Sequence, residues 1–336
     1  MAGRFDPLTR AAVRGGRTDV PAGRGTATGT ATGTATGAKA RNWRPAGPVD
    51  LGLTLGPLRR GPADPTFRTT PDGSVWRTSL TPQGPATLRV ATAAEEVHAE
   101  AWGPGAEWML EQLPALLGSG DDPAAFVPRH RLVHASHRAR PGLRLTRTGL
   151  VLESLVPTVL EQKVTADEAY RAWRRLVRQY GEPAPGPQDM YVVPSARTWA
   201  MIPSWDWHRA GVDSKRSAAI VRAARVAHRL EEAAGMPPEQ AAARLEAVPG
   251  IGPWTSAETL QRSNGDPDAV TTGDLHLPGI VGYALAGNRD ADDAAMLELL
   301  APYAGQRHRA ARLILLAGRT PPRRAPRMPR GDIGRL

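Results

Sequence analysis

The sequence predicts an α+β N-terminal domain, built from an antiparallel sheet plus a helix, followed by an all-α domain. Three observations carry that reading. Short runs of β-type residues fill 49–90, helical apolar spacing continues almost unbroken past Pro128, and within the helical part a turn with two glycines, Gly250 and Gly252, separates two helices. We divide the chain into a Gly/Thr/Ala/Arg-rich tail at 1–44, a small α+β domain at 45–127, a helical domain at 128–318 and a basic Pro/Arg-rich tail at 319–336.

Composition bounds the partners. With 336 residues and 41% hydrophobic content, the chain can bury sizeable cores. Its formal net charge of +10 suits a polyanion, because clustered cations release counterions from nucleic acid. Only three of the 43 basic residues are lysines, so a general arginine bias shares responsibility for that charge. The absence of cysteine excludes disulfides, Cys-ligated zinc and a Cys-held iron-sulfur cluster. The N-terminus lacks an apolar signal region, and no apolar run is long enough to span a bilayer. The expectation is a monomeric protein of the cytoplasm, nucleoid-associated if bacterial, without membrane partners.

The elements follow in order. The tail 1–44, with its tandem Gly-Thr-Ala-Thr tract, has too little apolar surface to order itself. Strand-like runs are Val49 to Leu55, Thr66 to Thr69, Ser74 to Leu80 and Ala86 to Val90, with Pro71-Asp72-Gly73 as a hairpin turn. Trp108, Leu110, Leu113 and Leu116 give one apolar face to a helix over 104–117. A buried helix is predicted from Leu150 to Gln162, and Thr165 with Glu168 forms a capping box for the next, which runs to Tyr180. Gly181 to Gln188 is a loop, and short helical pieces carry Trp199, Trp205 and Trp207. Asp213 caps a long helix ending at Gly235, Pro237-Pro238-Glu239 opens the one that enters the glycine turn, and further helices are expected at 275–286, 291–301 and 306–317.

Chemistry concentrates between Leu245 and Leu275. In Val248-Pro249-Gly250-Ile251-Gly252-Pro253-Trp254-Thr255, glycine permits an unusual backbone and leaves room for a phosphate at the amides, while Pro253 starts the next helix without wasting a donor. An ordinary αα-hairpin has the same pattern, so the turn alone does not decide. Asp274, after Gly273, reads as a helix N-cap, where amides and the helix dipole favour the anion. A carboxylate so held can also stabilise a developing sugar cation.

The hairpin residues with Gly273-Asp274 some twenty residues later resemble the helix-hairpin-helix/GPD superfamily of DNA glycosylases over about 145–318. The segment Val159-Leu160-Glu161-Gln162-Lys163-Val164-Thr165 resembles that of the AlkA-type 3-methyladenine DNA glycosylase II branch, whose TBP-like N-terminal domain fits the β-rich 45–125 region. The resemblance implies Asp274 as catalytic carboxylate and Gly250 and Gly252 as phosphate-binding amides, with Val248, Thr255, Gln162 and Lys163 completing the DNA-contacting set. It implies no required cofactor; an optional monovalent cation would sit on the carbonyls of Glu246, Val248 and Ile251. Where bifunctional relatives carry a Schiff-base lysine this chain has Trp254, so water is the expected nucleophile and no strand cleavage is expected.

The implied substrate is duplex DNA holding alkylated purines, excised after base flipping as a step of base excision repair. A cationic base can be held by aromatic stacking, for which Trp254, Trp205, Trp207 and Tyr283 are candidates, although large aromatics more often pack in cores. Two departures stand out. Lys163 falls at the position of an apolar wedge, with Gln162 beside it able to share that role, and Glu258 stands where an aromatic lines some pockets. Glu258 can hydrogen-bond an extruded base or be a solvated helix residue. Open alternatives are a glycosylase for deaminated or otherwise modified bases, and a non-catalytic helix-hairpin-helix DNA-binding protein.

Overall fold

The computed structural model describes residues 37–322. The expected tails at 1–36 and 323–336 therefore lie outside the described residues, but 37–44 do not, and here the sequence reading needs correction. Lys39–Trp43 is a strand, β1, not part of a featureless tail. It is held by pairing along β5 (Glu96–Trp102), from Lys39 opposite Ala101 to Trp43 opposite Val97.

The sheet is entirely antiparallel, in the order β1-β5-β4-β3-β2, with β2 at Phe67–Thr69, β3 at Val75–Thr81 and β4 at Gly84–Ala93. The predicted turn at Pro71 to Gly73 connects β2 to β3, and Gly73 takes the positive φ of 82° that the turn requires. Val49 to Leu55, expected as a strand, contains a short helix instead, α1 (Leu51–Leu55). Asp50 decides this, because its carboxylate accepts the Leu53 amide at 2.9 Å and caps the turn, burying Leu51 and Leu55 one turn apart. Helix α2 (Ala106–Leu116) lays Met109, Leu110, Leu113 and Leu116 in one core with Leu88, Val90, Val97, Ala99 and Ala101 of the sheet.

Helix α3 (Arg131–Arg138) precedes the central helix α4 (Val151–Leu160), in which every residue except Glu153 is buried. α4 packs against α5 (Ala166–Tyr180), whose Thr165–Glu168 capping box forms as expected. The loop after α5 holds a two-stranded ribbon, β6 (Glu182–Pro183) with β7 (Tyr191–Val192). Then come α6 (Ala196–Met201), α7 (Ser204–Arg209) and α8 (Ser214–Arg225), the last capped by Asp213. The helix expected to run on to Gly235 breaks at Val226, where φ is −114° and ψ 20°, and resumes as α9 (Ala227–Glu231) and a 3-10 turn. The break lets Glu231 cap α4, its two carboxylate oxygens each accepting at 2.8 Å from the amides of Val151 and Leu152.

The chain continues through α10 (Pro238–Glu246), α11 (Pro253–Ser263), α12 (Leu277–Ala286), α13 (Asp293–Leu300) and α14 (Arg307–Ala317). Two helical cores result. One gathers α4 through α11 around Leu155, Leu176, Ile220 and Leu260, including Trp173, Trp199 and Trp207 stacked in series. The other joins α12 to α14 with Phe126, Val133 and Leu143. Residues 264–276 connect the two cores, and Asp274 lies in that connector. Arg77 of β3 pairs with the half-buried Glu153, and Arg60 with Glu161 at 2.9 Å, tying the sheet side of the molecule to α4. Among the described residues no helix is long and apolar enough to cross a membrane.

Candidate active site

The hairpin is residues 247–252, between α10 and α11. Gly250 has φ of +98°, and a Cβ there would lie 2.8 Å from the Cβ of Ala219 on α8, so both backbone and space require glycine. Gly252 differs from that expectation. Its φ of −116° and ψ of −176° are open to any residue, and a Cβ would meet nothing within 4 Å. What glycine leaves free at 252 is an approach from outside. The amides of Gly250 and Gly252 have no protein acceptor among the described residues, which leaves them available to an anion.

The hairpin's carbonyls, by contrast, are fastened from two sides. Gln162, just past α4, donates its side-chain amide to the Gly250 carbonyl at 3.0 Å and to Thr255 Oγ1 at 2.8 Å. Arg222 of α8 donates Nε to the Pro249 carbonyl at 3.0 Å. The sequence reading set Gln162 beside the wedge and Thr255 among the DNA contacts; in the fold Gln162 braces the turn, and Thr255 is buried beneath it with its amide bonded to Gly252. Val248 is likewise buried. Lys163 is exposed and holds a left-handed backbone at φ 57°, which turns the chain between α4 and α5.

Asp274 is gripped from two directions. Its Oδ1 accepts the amides of His276 and Leu277, each at 2.8 Å, and its Oδ2 accepts Trp254 Nε1 at 3.0 Å. The expected N-cap is thus displaced: α12 starts at Leu277 with His276 in the cap position, while Asp274 still serves the helix end from two residues upstream. An ionised carboxylate has roughly four lone-pair sites, so three donors leave about one open. Gly273 fixes the approach with φ of 78°, its amide donating to Asp293 Oδ2 at 2.8 Å. Trp254 stands at the start of α11, so a single indole connects the hairpin to the carboxylate.

No protein-family model matches the chain. A 140-residue stretch is 34% identical to the probable bifunctional transcriptional activator/DNA repair enzyme AlkA of Mycobacterium tuberculosis, covering 41% of this chain. That match spans only 28% of the mycobacterial protein. Among solved structures, the 3-methyladenine DNA-glycosylase of Archaeoglobus fulgidus superposes with a TM-score of 0.69 at 17% identity, covering 82% of this chain and 97% of that one. MBOgg1 in complex with a low affinity DNA ligand gives a TM-score of 0.69 at 15% identity, covering 86% and 98%. The Clostridium acetobutylicum 8-oxoguanine glycosylase/lyase bound to DNA gives 0.64 at 11%, covering 81% and 92%. The chain has the fold of these DNA glycosylases.

Within this fold the aromatic candidates separate. Trp254 reaches the carboxylate. Trp207 does not belong to a pocket: it is 3% exposed in the first helical core, stacked on Trp199. Trp205 is 62% exposed on α7, and Tyr283 on α12 is covered by the Arg319 guanidinium at 5.6 Å. Glu258 is not a solvated helix residue. One turn beyond Trp254, it pairs with Arg262 at 2.7 Å, and Arg262 Nε donates to the Pro57 carbonyl at 3.0 Å. The carbonyls named for a cation fit the role: those of Glu246 and Ile251 have no hydrogen-bond donor among the described residues, and that of Val248 accepts only from Ile251 at 3.0 Å. Sequence reasoning missed Arg222 and Asp293, which lie 27 and 20 residues from the groups they hold. No local pattern marks such partners.

Proposed function

We propose that the protein is a monofunctional DNA glycosylase, hydrolysing the N-glycosidic bond of alkylated purines of the 3-methyladenine and 7-methylguanine type in duplex DNA. The observation that carries this reading is the Asp274 carboxylate, held by the amides of His276 and Leu277 and by the indole of Trp254 directly behind a hairpin with free amides. A binding module needs the hairpin but not a braced carboxylate. The DNA repair enzyme name of the mycobacterial relative supports the same chemistry, and the superfamily fold is one whose solved members include DNA complexes.

In this mechanism the hairpin amides of Gly250 and Gly252 take a backbone phosphate and the damaged nucleotide swings out of the stack. Asp274 faces the sugar as the bond from C1′ to the base nitrogen breaks. Its electron pair passes to the base, and a purine alkylated at a ring nitrogen leaves neutral, needing no general acid. The fixed carboxylate stabilises the positive charge spread over C1′ and the ring oxygen. Water then bonds to C1′ and loses a proton. Trp254 offers no amine, so no Schiff base forms and the strand is left intact. The carbonyls of Glu246, Val248 and Ile251 would hold a monovalent cation that stiffens the hairpin. Lys163 meets the backbone near the flipped nucleotide. The N-terminal sheet with α1 and α2 acts as a TBP-like domain ending near 127, the helical domain runs from 128 to 318, and the protein works as a cytoplasmic monomer.

Glu258 favours a second reading. An ion pair with Arg262 stands where stacking on a cationic base would use an aromatic, and paired charges of that kind suit the hydrogen-bonding edge of a deaminated or otherwise modified base. One experiment separates the readings. Purified protein is incubated with methylated duplex DNA and, in parallel, with deaminated duplex, and the freed bases are identified by chromatography. Release of 3-methyladenine or 7-methylguanine is expected; release only from deaminated DNA selects the second reading, and no release from either overturns the enzyme assignment.

A further inference from the structure

A cleft of about 820 Å³ opens between α8–α9 and α10, with one wall made by the hairpin residues Ala247 to Pro249. Its rim carries Arg222, Arg225, Arg229 and Arg244 against a single carboxylate, Glu232. That carboxylate is already taken by Arg244. The guanidinium groups of Arg225 and Arg229 are exposed and have no ion-pair or hydrogen-bond partner among the described residues, although the Arg229 carbonyl accepts from Arg244 at 3.0 Å. Like charges placed one turn apart on a helix repel, so fold stability does not account for Arg222 and Arg225 on α8 together with Arg229 on α9 along the same rim.

We propose that this cleft holds the backbone of the DNA strand continuing from the hairpin, with Arg225 and Arg229 each neutralising a phosphate. Continuity argues for DNA over an acidic peptide: Arg222 lines the cleft and also donates to the Pro249 carbonyl, so cleft and hairpin share a wall. The apolar floor of Val226 and Leu230 contributes no competing polar groups, which leaves the guanidinium groups to act on the strand.

This inference rests on the reading of the protein as a DNA-binding glycosylase, and the test keeps the two apart. Affinity for a short undamaged duplex is measured between about 50 and 200 mM salt for the full chain, for the double variant Arg225→Ala/Arg229→Ala, and for Arg225→Lys/Arg229→Lys. Arg131→Ala/Arg138→Ala on α3, a helix packed chiefly on α14, controls for the loss of two positive charges. Each phosphate contact contributes about 0.9 to the slope of log affinity against log salt, so the alanine pair should lower the slope by about two and weaken binding ten- to a hundredfold near 0.1 M salt. The lysine pair should restore the slope, and the α3 pair should leave it unchanged. An unchanged slope in the alanine pair, or an equal loss in the α3 pair, overturns the proposal while leaving the glycosylase reading in place. Failure of the unmodified chain to bind duplex removes both.

Discussion

The indole of Trp254 donates to Asp274 at 3.0 Å, joining the first turn of the helix behind the hairpin to a carboxylate whose other oxygen accepts two backbone amides. Because Oδ1 is committed to α12, Trp254 controls where Oδ2 points. Trp254→Phe keeps the ring volume and removes the donor. Single-turnover base release should then fall about tenfold, the equivalent of roughly 1.4 kcal/mol, while duplex affinity changes less than twofold. An equal rate in the variant would mean that the indole packs without positioning the carboxylate.

The same residue bears on the proposed absence of strand cleavage. Borohydride added during reaction of the unmodified protein with substrate should trap no covalent protein-DNA adduct, since position 254 offers no amine. A trapped band on a denaturing gel would require a lysine nucleophile elsewhere and would end the monofunctional reading.

Two hairpin glycines should respond differently to the same substitution. Gly250→Ala forces a Cβ onto a residue at φ +98° and to within 2.8 Å of Ala219, and should destabilise the protein by about 1 to 3 kcal/mol in urea unfolding. Gly252→Ala meets neither obstacle and should unfold within about 0.5 kcal/mol of the parent, yet bind duplex about tenfold more weakly because the new methyl obstructs the amide. If both variants lost stability equally, the hairpin geometry described here would be wrong.

Gln162→Ala removes the one side chain that donates both to the Gly250 carbonyl and to Thr255. A loss of about 1 kcal/mol in stability is expected, with faster amide hydrogen exchange at residues 249–252. A Gln162→Leu variant keeps bulk without the donor and should behave in the same way. Wild-type exchange rates in both variants would show that Gln162 does not brace the turn.

His308 should give the protein an acid-sensitive step. Burial above all, with Arg312, Arg262 and Arg309 close by, pushes its imidazole well below the ordinary 6.5. The folded state therefore keeps His308 neutral, whereas the unfolded chain takes up a proton as the pH falls through 6.5. The stabilisation is complete above that value and is lost below it, by up to about 1.4 kcal/mol per pH unit. Urea unfolding at pH values of about 7, 6 and 5 should show this decline, and His308→Leu should have a shallower one over the same interval. Identical slopes would remove His308 from the account.

Much of the site was legible in the sequence because it is local. Pro249 to Thr255 and Gly273-Asp274 name the turn, the helix start and the carboxylate by residue type and spacing alone. The capping box at Thr165 and the α12 to α14 succession were legible for the same reason. What escaped depends on distant partners. β1 has no apolar alternation strong enough to stand out from an arginine- and alanine-rich surrounding, and exists by pairing with β5. β5 alternates Val97, Ala99 and Ala101 inward, but alanine carries little strand propensity, so the pattern was faint. In Val49 to Leu55 the period-two pattern competed with the Asp50 cap, and the cap prevailed. Trp207 and Trp205 show the remaining difficulty, since two tryptophans two residues apart on one short helix end at 3% and 62% exposure. Composition cannot tell which of them faces the core.

The central claim is that the braced Asp274 carboxylate performs base release, and Asp274→Asn tests it most directly. The amide keeps the side chain's shape and one oxygen for the amides of His276 and Leu277 but removes the negative charge. Single-turnover release of alkylated purine from a saturated duplex should fall by at least a thousandfold, about 4 kcal/mol, with duplex affinity within threefold of the parent. Release at the parental rate by a folded Asp274→Asn protein would contradict the account.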